Sequence, residues 1–291
     1  MEGTVELVFW DVQHGHSTYI KTPNGKHLFI DLGMGSKSDE KFSPILHLKN
    51  KYKVDSLDLV TITHPHKDHM DDLLNIDEVN LKVFTRPFHL NESDILTDRI
   101  LDIDRPLFEK YIRLTNKYLS PLRSGHSNNY READNLGGLH ISEFIPQKCA
   151  TSNLNNHSVV TILSYADTKI VIPGDNEEPS LKELLEQPAF VNAVKDSDIL
   201  LAPHHGRKAG YCEEFVRIVN PRVTVISDSS LKETSARHKY TMKGRGWNIN
   251  YKSGNTGRRK TVSTYFDGVI IVKLGLDTDG TPYLNIRTKN Y

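Results

Sequence analysis

The sequence predicts an α/β protein in which two β-sheets pack face to face with helices outside. Three observations predict it. Each half of the chain reads as a β-hairpin followed by β-α units. The strands are short apolar runs, and a sheet with an apolar face must bury it against another layer. Histidine or aspartate follows three of those strands immediately, which suggests that their ends converge.

The elements follow in order. Residues 5–10, "VELVFW", read as a strand. "STYIK" and "HLFID" flank Asn24-Gly25, the signal for a hairpin. "LDLVTIT" is a strand running into histidines, "DDLLNIDEVN" a helix start, and "LKVFTR" a strand. Between 94 and 122, Leu107, Tyr111, Leu114 and Tyr118 fall at helical spacing. Residues 123–138 are polar and turn-rich, and "LHISEFIP" is a strand. "SVVTILSYADTKIVIPGD" is a second hairpin, "SLKELLEQ" a helix and "SDILLAPHHG" a strand ending in histidines. "EEFVRIVN" is a helix and "RVTVISD" a strand. The tail from "TVSTYFDG" onward reads as antiparallel strands joined at Asp-Gly turns.

Composition narrows the class. With 37% hydrophobic and 25% charged residues the chain is of ordinary globular type. No apolar run approaches the ~18 residues of a membrane span, and "EGTVELVFW" lacks the features of a signal peptide. Two cysteines, Cys149 and Cys212, make no disulfide framework, so a cytoplasmic location without membrane association is expected. Net charge is zero, but residues 232–260 hold nine Lys or Arg against one acid, Glu233. That segment interleaves Lys239, Arg258, Arg259 and Lys260 with Tyr240, Trp247 and Tyr251, a pattern suited to phosphates and bases of single-stranded nucleic acid. A solvated basic face or a protein contact would look the same. The glycines of "KGRGW" and "SGNTGRRK" suggest loops able to drape over a substrate.

The strongest chemical signal is "HPHKDH", His64 to His69. Three imidazoles and the Asp68 carboxylate suit zinc, manganese, iron or nickel. Residues two apart in extended chain point the same way. Asp175 in "IVIPGD" and His204-His205 in "ILLAPHHG" also stand at strand ends. Three such ends argue for one convergent site. A second His-x-His pair, His14 and His16, raises the question of a second claw.

These stretches carry a resemblance. "FWDVQHGHSTYIKTPNGKHLFIDLGMG", "LDLVTITHPHKDHMDDL", "NNHSVVTILSYADTKIVIPGD", "SDILLAPHHG" and "NPRVTVIS" resemble the metallo-β-lactamase superfamily, in particular its ComEC-type competence metallohydrolase domains. The resemblance implies a single domain over 1–291 with an αββα four-layer sandwich. Stretches near 86–140 and 230–260 look peculiar to this chain. It also implies two divalent metal ions, with zinc first and manganese, magnesium or nickel as alternatives. Carried over, His64 and His66 bind the first ion, Asp68, His69 and His205 the second, and Asp175 bridges. His204 faces the substrate, although the two adjacent histidines could exchange roles. Asp31 in "FIDLG" would either fix a ligand histidine through a hydrogen bond or be a turn carboxylate. Many members supply a further histidine where this chain reads Asn155-Asn156-His157-Ser158. There His157 could be a ligand, and Asn156 and Ser158 shape the loop.

A shared water of lowered pKa is the nucleophile such a site offers, with Asp68 and His204 at the reaction. The first expectation is a metal-dependent phosphodiesterase, a nuclease acting on DNA. The alternatives are hydrolysis of a small phosphoester, of cyclic-nucleotide or choline-phosphate type, and a regulatory member of the fold without turnover. A protein partner from a shared operon is a further expectation. Competence-type relatives read Asp-Val-Gly-Gln-Gly-Asp-Ser where this chain has residues 11–17. His14 and His16 are therefore expected at the cleft border as substrate contacts and not as a claw, with a plain packing or surface role as the alternative.

Overall fold

The strand Val5–Phe9 shows how the layers arise. Val5, Leu7 and Phe9 are buried on one face, and Val8 is buried on the other. The period of two thus gives this strand two apolar faces and requires a layer on each side. The computed structural model, which describes residues 3–35, 41–98, 100–120, 122–229 and 234–289, supplies both layers.

One sheet has nine strands. In spatial order they are Thr256–Arg259, Trp247–Asn250, Pro282–Thr288, Ile270–Leu276, Val5–Phe9, Ser17–Lys21, His27–Leu32, Leu59–Thr61 and Phe84–Thr85. The other has six: Thr261–Ser263, Val223–Ile226, Ile199–Leu201, Thr168–Ile172, Val160–Tyr165 and His140–Phe144. Between them lies a core drawn from both halves, including Leu7, Phe9, Leu28 and Ile30 against Leu163, Ile170, Ile172, Leu201 and Val225. The alternate residues Phe29, Val60 and Ile62 face Ile45, Leu48 and Leu73 from the outer helical layer. On the far side Val171 and Leu200 face Leu181, Phe190 and Phe215. The architecture is a four-layer αββα sandwich.

Parallel pairing sets the working edge. His27–Leu32 runs parallel to Leu59–Thr61, and Thr168–Ile172, Ile199–Leu201, Val223–Ile226 and Thr261–Ser263 are parallel in turn. Carboxyl ends therefore cluster, the usual place for a site in such sheets.

Several expectations change. The tail is not one antiparallel array. Thr261–Ser263 joins the six-stranded sheet, a short helix Thr264–Asp267 follows, and only Ile270–Leu276 and Pro282–Thr288 form the hairpin. Ser263 caps the start of that helix and Gly268, at φ 65°, ends it, whereas Asp279-Gly280 makes the hairpin turn. The predicted start of a helix at 71 is a 3-10 segment, Asp71–Glu78.

The basic stretch near 230–260 is not a draping loop. Residues 230–233, including Lys232 and Glu233, lie outside the described residues. Beyond them come the helix Arg237–Lys243 and the hairpin Trp247–Asn250 with Thr256–Arg259 at the edge of the large sheet. Its aromatics serve packing. Tyr240 is fully buried, and Trp247 and Tyr251 lie against the inter-sheet core.

The helix expected from Leu107, Tyr111, Leu114 and Tyr118 spans Arg105–Lys117. The first three are buried on the outer face of the large sheet, and the Tyr118 hydroxyl donates to the Leu81 carbonyl at 2.6 Å. The 86–140 stretch thus roofs that sheet.

Candidate metal centre

Asp31 organises the centre from behind. It is the extra residue in a register shift between Ser17–Lys21 and His27–Leu32, where Ser17 pairs with Leu32 and Thr18 with Ile30. A bulge re-aims one side chain, and Asp31 adopts the left-handed φ of 60° that aspartate tolerates better than most residues. Its Oδ1 accepts from the Thr63 amide at 2.7 Å. Its Oδ2 accepts from Thr63 Oγ1 at 2.8 Å, His69 Nδ1 at 2.7 Å and His16 Nδ1 at 3.0 Å. Burial opposes its negative charge, but His69 and His16 outweigh that and hold the carboxyl far below its ordinary range.

These bonds fix which ring nitrogens face the cleft. His69 has spent Nδ1 on Asp31. His205 donates Nδ1 to the Ser227 carbonyl at 3.1 Å, and His64 Nδ1 lies 3.2 Å from Thr63 Oγ1. Their Nε2 atoms then converge. His69 Nε2 is 3.3 Å from His205 Nε2, and His64 Nε2 is 2.9 Å from His66 Nδ1. Two carboxylates enter the same space. Asp175 Oδ1 is 3.2 Å from His69 Nε2, and its Oδ2 is 3.2 Å from His205 Nε2 and 4.0 Å from His64 Nε2. Asp68 Oδ2 is 3.3 Å from His205 Nε2 and 3.9 Å from His69 Nε2.

Lone pairs aimed at one another across about 3 Å repel unless a proton or a metal cation stands between them. Bonds of roughly 2.0–2.2 Å to a tetrahedral ion place neighbouring donors roughly 3.3–3.6 Å apart. The observed spacings bracket that range, so the residues present fit a metal.

Charge divides the centre. Burial, followed by the nearby His69, pushes His64 and His66 below the ordinary histidine range, and His66 helps to hold His64 well below it. They are neutral and ready to ligate. Burial also disfavours charge on His69 and His205, but Asp175 with Asp31 and Asp68 raises His69 well above that range. Asp175 and Asp68 likewise raise His205 to about 10. Those two must give up protons to take an ion.

The turn after Ile199–Leu201 carries His204 and His205 at left-handed φ of 48° and 53°. Such strain costs on the order of 1–3 kcal/mol per residue and tends to sit at functional sites. Of the pair, His205 reaches both carboxylates. His204 Nε2 lies 3.9 Å from Asp175 Oδ2, and its Nδ1 lies 3.3 Å from Glu177 Oε1. Gly174, at φ 59°, lets the chain pass Ser158 and Thr63, since an added Cβ would come within 2.7 and 2.9 Å of their Cβ atoms.

Other expected residues sit elsewhere. His16 is buried behind the centre, held by Asp31 and accepting from Thr18 Oγ1 at 2.6 Å, so it cannot border the cleft. Asn156 shapes the turn after Asp175: its Oδ1 accepts from the Glu177 amide at 3.1 Å and from Ser180 Oγ at 2.8 Å. Its neighbour Asn155 donates from Nδ2 to Glu177 Oε1 at 3.3 Å. Ser158 Oγ accepts from the Asp175 amide at 3.1 Å. His157 is buried and pairs with His89 at 2.8 Å.

The basic residues do not come to the centre. Thr261–Ser263 runs parallel to Val223–Ile226, so Ser227 and Ser263 stand at the working edge and Lys260 at the opposite one. Arg259 forks onto the buried Asp267 at 3.3 Å, Arg258 donates to the Arg245 carbonyl, and Lys239 lies over Tyr211 at 4.8 Å. Sequence reasoning missed Thr63, Glu177 and Ser227. All three follow strands already identified, and that position was the available signal.

A cleft of about 870 Å³ opens beside His66 and Asp68. The 86–140 stretch builds much of its wall with Asp94, Ile95, Asp98, Leu101, Asp104 and Phe108. Lys67 also lines it, but its ammonium is 2.6 Å from Asp104.

No family model matches the chain. It is 23% identical over 245 residues to ComE operon protein 3 of Bacillus subtilis (strain 168), covering 78% of this chain and 28% of that protein's length. Among solved structures it is similar to CmlA, a diiron β-hydroxylase from Streptomyces venezuelae, with a TM-score of 0.43, 13% identity and coverage of 78% and 45% of the two chains. A diphosphatase of the PhnP family gives a TM-score of 0.38, 11% identity and coverage of 77% and 85%. A long-form RNase Z from yeast gives 0.40, 8% identity and coverage of 99% and 50%.

Proposed function

We propose that the protein is a phosphodiester hydrolase working through two divalent metal ions. One observation carries the reading: nitrogen donors of His64, His66, His69 and His205 converge with two carboxylates at the spacings that a bound cation sets. His64 and His66 would hold the first ion, Asp68, His69 and His205 the second, and Asp175 both. Bound ions supply Lewis acidity and a nucleophile at neutral pH. The chain supplies the rest. Asp31 and Ser227 lock His69 and His205 in the tautomers that present Nε2. His204, with Nδ1 3.3 Å from Glu177 Oε1 and its ring beside Asp175, would touch a phosphoryl oxygen.

The cleft supports a small phosphodiester as substrate. Its described lining carries four aspartates, Asp68, Asp94, Asp98 and Asp104, among apolar and neutral polar side chains, and its one lysine is paired with Asp104. Such a wall repels a polyanion and accepts an apolar or cationic leaving group. A different observation supports the second reading, cleavage of nucleic acid. Lys252, Arg287 and Lys289 line a hollow on the large sheet at the working edge. It lies four strands from His27–Leu32, about 19 Å at ~4.8 Å per strand, within reach of a phosphate backbone entering the centre.

The test is hydrolysis of bis-p-nitrophenyl phosphate beside linear DNA, circular DNA and RNA, each with Mn²⁺, Mg²⁺ or Zn²⁺. Turnover of the small ester alone supports the first reading. Nucleic acid cut in preference, with loss on neutralising Arg287 and Lys289, supports the second. No metal-dependent turnover of any of them overturns both.

A further inference from the structure

We propose that His14 is itself a ligand of the centre, adding a donor to the ion that Asp68 and His205 hold. The proposal rests on the two-ion reading and goes beyond its ligand set. His14 Nε2 lies 3.5 Å from Asp68 Oδ2, and its ring centroid lies 5.0 Å from that of His205. One donor atom each from His14, Asp68 and His205 falls within 4.8 Å of the others. His64, His69 and Asp175 form a separate group by the same measure, sharing no residue with it. His14 thus groups with Asp68 and His205, two of the residues assigned to the second ion, and the third, His69, has its Nε2 3.3 Å from His205 Nε2 and 3.9 Å from Asp68 Oδ2.

The backbone holds His14 there. On its C-terminal side the Gly15 carbonyl accepts from Ser227 Oγ at 2.7 Å, and the His16 amide donates to the Asp68 carbonyl at 3.1 Å. Ser227 therefore fixes the His14 turn with its hydroxyl and the His205 ring with its carbonyl. Gln13 and Gly15 take left-handed φ of 61° and 120° on either side of His14. An added Cβ at Gly15 would stand 2.3 Å from the Asp68 carbonyl oxygen, so only glycine lets the turn approach this closely. The His14 side chain remains half exposed, on the solvent side of Asp68. With His14 the second ion has donors from five side chains, more than a four-coordinate zinc site uses. That favours an ion at ease with five or six ligands, such as manganese, nickel or cobalt.

The experiment is Co²⁺ titration of the chelated 291-residue chain, followed by visible absorption and by calorimetry. Wild type is expected to bind two ions. His14→Ala is expected to bind the first unchanged and the second at least tenfold more weakly. The absorption of the second ion should intensify as coordination falls towards four. His14→Asp, which restores a donor, should recover affinity. Equal second-ion affinity and spectra in wild type and His14→Ala, with identical circular dichroism, would overturn the proposal and leave the two-ion reading standing. A wild-type chain that takes up no ion would overturn that reading itself.

Discussion

His14-Gly-His16 and His64-Pro-His66 are the same three-residue pattern with opposite outcomes. In the second, the chain turns tightly after its strand, with the His66 amide donating to the His64 carbonyl at 2.9 Å. His64 Nε2 and His66 Nδ1 face each other at 2.9 Å, both aimed into the centre. In the first, left-handed residues at Gln13 and Gly15 turn the backbone around His14. One ring lies over Asp68 and His205, while the other is buried behind them on Asp31. Spacing alone does not make a claw. The dihedral angles between two histidines decide whether their rings act together.

The largest effect expected from this contrast is at the true pair. His64→Ala or His66→Ala should cost hydrolysis on the order of 10³-fold or more, since an ion supplies several kcal/mol of transition-state stabilisation. Activity within tenfold of wild type would remove these residues from the centre. Next comes His16. His16→Ala leaves Asp31 and Thr18 short of a partner, so about 1–3 kcal/mol of stability should go. Metal affinity should fall roughly 10–100-fold through the loosened His69, as urea unfolding and metal titration would read. A chain as stable as wild type would mean that His16 only fills space.

The same residue gives a pH signature. Burial, against the pull of Asp31, lowers the pKa of His16 below 6.5, so the folded state prefers the neutral ring. Its stabilising contribution is complete above pH 6.5 and is lost as pH falls below it, because the unfolded chain then binds the extra proton. In the chelated protein, His16→Gln should therefore flatten the fall in thermal midpoint between pH 6.5 and 5. His205 has the opposite sign. With its pKa raised to about 10, its contribution is complete below 6.5 and fades as pH climbs towards 10. In the same protein, His205→Ala should flatten the alkaline side instead. Identical profiles for the two variants would contradict the assigned networks. The smallest effect should come from Lys260→Gln, at the far end of its strand: hydrolysis of a small phosphodiester should change less than twofold. A tenfold loss would bring the basic segment back to the substrate.

Much of this was legible in the sequence. "HPHKDH", "GD" and "HHG" follow apolar runs, and the fold gathers all three at one edge. Their convergence could be read because a parallel sheet delivers every carboxyl end to the same side. What could not be read depended on angles or direction. Asp31 reaches four donors only because a bulge turns it. His16 looked like a cleft residue because nothing in "QHGH" announces the reversal at Gln13 and Gly15. The charges at 258–260 looked like a substrate arm, but composition does not say which end of a strand faces the chemistry. Tyr240 looked like a base-stacking ring, but its helix turns it into the core.

One consequence concerns mechanics. His69 belongs to the large sheet's loops and His205 to the small sheet's, 136 positions apart along the chain, yet their Nε2 atoms stand 3.3 Å apart. Whatever binds both stitches the two leaves of the sandwich together at their rim, much as a disulfide would. A cross-link closing a loop of about 100 residues is worth roughly 4–5 kcal/mol in the chain-entropy account. Loading this centre would therefore clamp the whole molecule shut, and stripping it would free the leaves to part from the working edge first.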